Sequence, residues 1–347
     1  MAKTAVVLFN LGGPDKPGSV RPFLFNLFND PAIIRLPGLP RYLLAQLISR
    51  RRAPLAREIY AHMGGGSPLL ANTRAQADAL EAALKRGGGG YRVFIAMRYW
   101  HPFAAEAAGL VRDFAPERIV LLPLYPQFST TTSGSSLKDW HRAAGKAGVT
   151  APSRAVCCYP TLPGFIDSVA EKVNANLRGI EAAERPRVLF SAHGLPKKIV
   201  AAGDPYQWQV EKTVAAVAAK LKHPSFDWQV CYQSRVGPLE WIGPSTDAEI
   251  ERCGREGRAC VVVPIAFVSE HSETLVELDI EYRKLAERAG VRRYVRVGTV
   301  GTDTNFIESL AEVVREAEDW SAAVAPRAGE SLCGAEHPGC PMRAGAW

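Results

Sequence analysis

Three glutamates stand four residues apart at 273, 277 and 281, and Glu270 and His271 lie just ahead of them. Residues at that spacing share one helix face, where like charges repel. A solvated face normally interleaves Lys or Arg, yet the first basic residue here is Arg283. The stretch therefore reads either as an acidic surface helix or as a rail of carboxylates that carries a cation or protons. His193 is the histidine placed to complete such a site, because it follows the apolar run VLFSA that reads as a strand. Imidazole titrates near neutral pH and also ligates metals. Carboxylates with imidazole suit a divalent ion of intermediate hardness such as Fe2+. His62, His101 and His141 lack such surroundings and read as structural or surface residues.

The elements that must position these groups form a repeating pattern. Short apolar runs at 5–14, 91–102 and 118–129 recur at 187–196, 227–238 and 260–272, with helical periodicity between them. VLFNLGGP matches VLFSAHGLP, and VLLPLYPQFS matches VVVPIAFVSEHS. Alternating strands and helices of this kind predict an α/β fold with mainly parallel sheets. The duplication predicts two similar doubly wound, Rossmann-like domains with a cleft between them. Ligands would bind at the carboxyl ends of the strands. The expected boundaries are 1–155 and 156–320, followed by a cysteine-bearing tail over 321–347. His193 and Glu273 each follow a second-half strand, so both are expected at the same cleft. The first half has no ionisable groups at the matching points, so the fold itself does not demand them.

From its first to its middle strand, the first half spends roughly 45 residues more than the second. The surplus lies around 20–65, is apolar, and carries Arg35, Arg41, Arg50, Arg51, Arg52 and Arg57. It reads as a helical hairpin over the first sheet. It also reads as a greasy lip with a cationic rim, suited to a flat apolar ligand with acid groups or to a membrane surface. Tyr206 and Trp241 fall in polar, proline-bearing loops and are candidates for the wall of a planar ligand.

Composition narrows the classes. The net charge of +7 could attract nucleic acid, an anionic membrane or an acidic ligand. No helix-turn-helix, RNP or zinc-finger pattern is present, which argues against nucleic acid. GGGSPL at 64–69 lacks the Lys-Ser/Thr ending of a P-loop, and NLGGP lacks the third glycine of a dinucleotide fingerprint. No apolar run approaches the roughly 18 residues of a spanning helix. MAKTAVVLFN reads as a first strand rather than a signal peptide, so a cytoplasmic protein is expected, with peripheral membrane contact through the lip. Seven cysteines, an odd count in such a chain, argue against a disulfide framework.

The motifs NLGGP, YAHMGGGSPL, MRYWHP, LYPQFSTTTSGSS, LFSAHGLP, GDPY, CYQSRVGPLEWIGPST and FVSEHSETLVELDIEY occur in this order. The chain resembles a ferrochelatase over roughly residues 4 to 320. That family inserts ferrous iron into a porphyrin at the end of haem synthesis. The resemblance implies that His193 and Glu273 are the essential catalytic pair and metal-handling groups at the macrocycle. Glu270, His271, Glu277 and Glu281 would form the acidic path. Leu11, Arg52, Tyr60, Ser67, Arg98, Tyr206, Trp241 and Phe267 would contact the porphyrin or its propionates. Many relatives read Asp-His where Glu270-His271 stands, and a serine where Gly194 stands. Some members hold a [2Fe-2S] centre through four cysteines. Cys158, Cys333 and Cys340 are the ligands implied here, with Cys157 available as a fourth.

Iron is expected as substrate metal, with His193 taking pyrrole protons and the glutamates relaying iron or protons. Protoporphyrin IX suits the apolar lip, and coproporphyrin III is the alternative. A non-catalytic tetrapyrrole carrier would explain the lip equally well, but a carrier gains nothing from carboxylates clustered beside a histidine. A monomer or homodimer is expected.

Overall fold

Buried apolar runs of five to eight residues frame the chain. The computed structural model describes residues 3–326, apart from 236 and 238, together with 332–343. The described chain divides into two units: 3–158 with 310–326, 332 and 341–343, and 159–309 with 333–340.

In the first unit β1 (Lys3–Asn10) is buried from Thr4 onward. A strand covered on both faces is what a parallel sheet requires. The helices α1 (Val20–Phe28), α2 (Gly38–Ala61) and α3 (Leu69–Arg86) precede β2 (Gly90–Met97). Then come α4 (Ala104–Phe114), β3 (Arg118–Pro123), α5 (Ser133–Ala147) and β4 (Ser153–Val156). The sheet order is β2-β1-β3-β4-β9, with β9 the short strand Val324–Ala325, and every pairing is parallel. On α5, Leu137, Trp140, Ala143 and Ala144 recur at helical spacing and pack on the sheet, where Trp140 meets Phe9 edge-on at 6.1 Å.

The surplus segment forms α1 and α2. Ala53 and Tyr60 of α2 pack with Val20, Phe23 and Leu24 of α1 and with Tyr99. The opposite face of α2 leaves Leu39, Leu43, Leu47 and Leu55 exposed at 71, 59, 45 and 59%.

The second unit repeats the plan. It contains α6 (Pro163–Leu177), β5 (Arg187–His193), α7 (Lys197–Ala201), α8 (Tyr206–Ala218), β6 (Asp227–Gln233), α9 (Thr246–Arg255) and β7 (Cys260–Pro264). A π-helix over Glu273–Glu281, α10 (Tyr282–Arg288) and β8 (Tyr294–Arg296) follow, and α11 (Thr304–Glu318) belongs to the first unit from Leu310 onward. Its sheet runs β6-β5-β7-β8, all parallel. In both sheets the first strand is flanked by the second and third, as two similar units would have it. At the start of β5, Arg187 is 2% exposed and bonds Asp227, its register partner, at 2.7 and 2.9 Å. Its Nη2 also reaches Glu256 at 2.9 Å.

Three local differences stand out against the sequence reading. The run VVVPIAFV predicts a strand through Val268, whereas β7 stops at Pro264. Pro264 has no N–H to donate to the ladder, and the Phe267 N–H turns back to the Pro264 carbonyl at 3.4 Å. The glutamate-bearing helix is wider than the α-helix its spacing suggests. The segment expected to close the second domain at 320 instead returns early to the first unit. There Glu318 accepts from Thr4 at 2.6 Å and Tyr91 at 3.0 Å, and β9 extends the sheet beside β4. The tail is shared as well, since Gly339 N–H donates to Gly203 O at 3.1 Å in the second unit.

Candidate active site

Parallel register places the residues at the ends of β5 and β6 side by side. His193, last in β5, is the register partner of Gln233, last in β6. Glu273 opens the π-helix that follows β7, the other neighbour of β5. These three strand ends bring the ionisable groups together. His193 Nδ1 lies 2.9 Å from Glu273 Oε2. With Nδ1–H donating to the carboxylate, Nε2 is left as the acceptor, on a ring whose side chain is 42% exposed.

Two residues outside the sequence-based candidate set organise the carboxylates. The Gln233 amide is oriented by Ser191, whose hydroxyl donates to Gln233 Oε1 at 2.7 Å and also contacts Thr246 Oγ1 at 2.8 Å. The Nε2 of Gln233 consequently faces Glu273 Oε2 and Glu277 Oε2, both at 3.4 Å. Ser234 donates its backbone N–H to Glu277 Oε1 at 2.9 Å. Its hydroxyl lies 2.5 Å from Glu277 Oε2 and 3.1 Å from Glu273 Oε2. Tyr282 OH adds a contact to Glu277 Oε1 at 3.2 Å. The motif CYQSRVGP contains both residues, but only the conformation at the end of β6 reveals what they touch.

Electrostatics separate the two acids. Burial works to raise the Glu273 carboxyl, but the charge and hydrogen bond of His193, with His271 behind, hold it well below the usual range. Glu277 is pushed up, first by burial and then by the adjacent Glu273 charge. Like charges at this range oppose joint ionisation. Burial would lower the His193 pKa, yet Glu273 outweighs it and the net shift is upward. A base, its orienting carboxylate and a second carboxylate of weaker acidity can accept and pass protons, and they can receive a divalent cation. Among the described residues, no three His, Cys, Asp or Glu side chains are grouped as a ready-made metal site.

The other acidic candidates are placed differently. His271 is buried, with Nδ1 on Ser269 O at 3.1 Å, Nε2 3.8 Å from Glu273 Oε1, and its ring against Phe267 at 4.7 Å. Glu270 is bound by Arg296 Nη1 at 2.7 Å and Thr299 N–H at 2.9 Å, and the other arm of Arg296 engages Asp279. Glu281 lies exposed at the far end of the π-helix. In the same unit Tyr206 is buried at the start of α8, and Glu273 is one of the charges that push its phenol upward, after burial and Tyr232. Trp241 bridges to Pro196, and a Cβ on Gly194 would come within 3.2 Å of the indole and 2.9 Å of Gln233 O.

The remaining porphyrin candidates lie in the first unit. Leu11 packs with Tyr60 in the core between α1, α2 and Tyr99. Arg52 lies over the Phe28 ring at 5.6 Å. Ser67 Oγ accepts from Leu69 N–H at 3.3 Å, and a Cβ on Gly13 would fall 2.5 Å from it, so the NLGGP turn owes its second glycine to this approach. Arg98 is held by Asp30 at 2.8 Å and Ser135 at 2.7 Å. With Asn26, Arg35 and Lys138 these residues line an open cavity of about 1280 Å³. Of the cysteines, Cys157 and Cys158 are buried in this unit with their sulfurs 3.4 Å apart. Cys333 and Cys340 are buried in the second, where Gln209 Nε2–H donates to Cys333 Sγ at 3.3 Å.

A family model described as ferrochelatase matches residues 3–318. The chain is 56% identical over 346 residues to a ferrochelatase from Caulobacter vibrioides (strain NA1000 / CB15N), covering 99% of each sequence. It is 46% identical over 336 residues to one from Rickettsia bellii (strain OSU 85-389), covering 95% and 92%. Among solved structures it is similar to SirB from Bacillus subtilis with Fe3+, at TM-score 0.53 and 13% identity, over 91% of this chain and 96% of that one. At that identity the likeness concerns the fold.

Proposed function

Because the chain belongs to the ferrochelatase family, we propose that it inserts Fe2+ into protoporphyrin IX to form protohaem, with His193 as the base. The observation that carries this reading is the His193–Glu273 pair at 2.9 Å beside Glu277. A free-base porphyrin must lose two pyrrole N–H protons as the metal enters. His193 Nε2 is the acceptor for them, giving the first up to solvent from its half-exposed ring before taking the second, while Nδ1–H stays bonded to Glu273. The carboxylate fixes the tautomer and stabilises the imidazolium that forms. Glu277, less acidic than its neighbour, can hold a proton or yield one as the iron charge arrives. Iron is substrate here, received by Glu273 and Glu277 and passed to the ring, with His193 close enough to ligate it in transit. Leu11, Arg52, Tyr60, Ser67, Arg98, Tyr206, Trp241 and Phe267 are proposed to bind the macrocycle. Binding energy from such remote contacts can hold a distorted ring. His193→Ala should abolish insertion while porphyrin still binds, measured by absorbance of the metallated product and by porphyrin titration. Insertion at near wild-type rates would reject the assignment.

A [2Fe-2S] centre held by Cys158, Cys333 and Cys340 with a further thiolate is proposed on the chemistry of the donor set. These sulfurs are buried, and the Gln209 N–H directed at Cys333 is the kind of bond that stabilises a ligating thiolate. Iron and acid-labile sulfide, measured with the visible spectrum of the purified protein, test it, and protein without sulfide would reject it. Peripheral membrane contact is proposed through Leu39, Leu43 and Leu47, exposed at spacing four, with Arg50 and Arg51 beyond them. No described helix is long and apolar enough to cross a membrane. Replacing Leu39 and Leu43 by Asp should reduce co-sedimentation with anionic vesicles; undiminished binding would reject the surface.

A further inference from the structure

Ser234 has φ of +60°, in the left-handed region that non-glycine residues rarely occupy. The backbone at the end of β6 thus suits glycine, yet the chain places a hydroxyl there. Strain of this kind persists where surrounding structure and function hold it in place. What the hydroxyl touches is specific. It lies between Oε2 of Glu277 and Oε2 of Glu273, while the backbone N–H of the same residue holds the other oxygen of Glu277. The left-handed turn is what aims both donors at the same carboxylate.

We propose that Ser234 is a positioning residue for iron, which clasps Glu273 and Glu277 with one oxygen of each facing the other across its hydroxyl. The proposal rests on the reading that these two glutamates receive the metal. Two carboxylates left to themselves separate by repulsion. A shared donor offsets that repulsion and keeps both oxygens on one side, as a divalent cation with oxygen ligands requires. Gln233 supports the same geometry from the neighbouring position, with its amide nitrogen at 3.4 Å from both oxygens. The tyrosine that also contacts Glu277 comes from the start of α10, so the clasp on Glu277 is closed from the helix side as well.

The test uses the purified full chain, with initial rates of insertion measured while Fe2+ and protoporphyrin are varied separately. Ser234→Gly removes the hydroxyl and relieves the backbone, and its Tm is read alongside to show that it folds. Ser234→Ala removes the hydroxyl and keeps the strained turn. Both variants should raise the KM for Fe2+ about tenfold, the worth of one charge-assisted hydrogen bond. The porphyrin KM should stay within about twofold, because the loss is confined to the metal side. An unchanged iron KM in both variants would overturn the proposal, as would a rise in porphyrin KM equal to that for iron. Glu277→Gln, measured alongside, separates the two levels. If it raises the iron KM and neither serine variant does, the clasp is wrong and the reading of the glutamates stands. If wild type inserts no iron, both are wrong.

Discussion

Replacing Glu273 by Gln changes one charge and little else. The amide oxygen can still accept from His193 Nδ1, at the position where Oε2 now stands 2.9 Å away. What disappears is the negative charge that holds the His193 pKa up against burial. The sign follows directly: without the carboxylate the imidazolium is less favoured, the His193 pKa falls, and the neutral base survives to lower pH. Glu277 moves the same way, because the Glu273 charge is among the causes that raise it. The acid limb of the kcat profile should therefore shift to lower pH, whichever group governs it. The plateau should drop. A charge-assisted hydrogen bond exceeds a neutral one by roughly 1 to 1.5 kcal/mol. That difference, spent on stabilising the imidazolium in the transition state, is about tenfold in kcat. The ring is 42% exposed, and solvent screening places the effect toward the lower end. The assay is insertion of Fe2+ into protoporphyrin across pH at saturating substrates, with porphyrin affinity measured in parallel. An acid limb that stays in place or moves upward would refute the assignment of Glu273 as the partner that raises the base.

Other perturbations test other parts of the molecule. Glu277→Gln should raise the KM for Fe2+ while leaving porphyrin affinity unchanged; an unaltered iron dependence would reject Glu277 as a metal-side group. Arg187→Ala removes the buried guanidinium that bridges the partly exposed carboxylates of Asp227 and Glu256, and should lower the midpoint of urea unfolding. Arg187→Met, which keeps much of the packed volume, should cost less; equal losses would show that packing plays no part. Gly194→Val should lower porphyrin affinity, seen by fluorescence quenching, because its Cβ would fall 3.2 Å from the Trp241 indole and 2.9 Å from Gln233 O. Unchanged affinity would place Trp241 outside the binding wall.

Much of the architecture is legible because buried parallel strands are written as continuous apolar runs. AVVLF, IVLL, VLF and CVVV all lie in strands, and the duplicated motifs predict two similar α/β halves. The end of β7 is not legible in this way, since IAFV after Pro264 is as apolar as the strand before it, and the chain leaves the sheet where the Phe267 N–H turns back to the Pro264 carbonyl. The π-helix is hidden for a related reason. Spacing of four is compatible with either turn, and the choice depends on contacts made by the carboxylates rather than on propensity. At the site, the expectation that His193 and Glu273 lie at one cleft follows from each coming after a second-half strand. The partnership of Glu270 with Arg296, 26 residues away, does not. Ser234 went unread because a serine in a polar loop carries no signal until its φ is known.

The amide of Gln233 has two ends of nearly equal size and opposite polarity. Its orientation is fixed on one side by Ser191, two residues before His193 on the adjacent strand, whose hydroxyl donates to Oε1 at 2.7 Å. Turned the other way, the same side chain would present an oxygen to two carboxylates and drive them apart. Loss of that one hydroxyl would thus loosen the hold on the local field without moving the backbone. The catalytic end of the sheet is in that sense keyed: one hydroxyl in the interior sets which way round its neighbour is read.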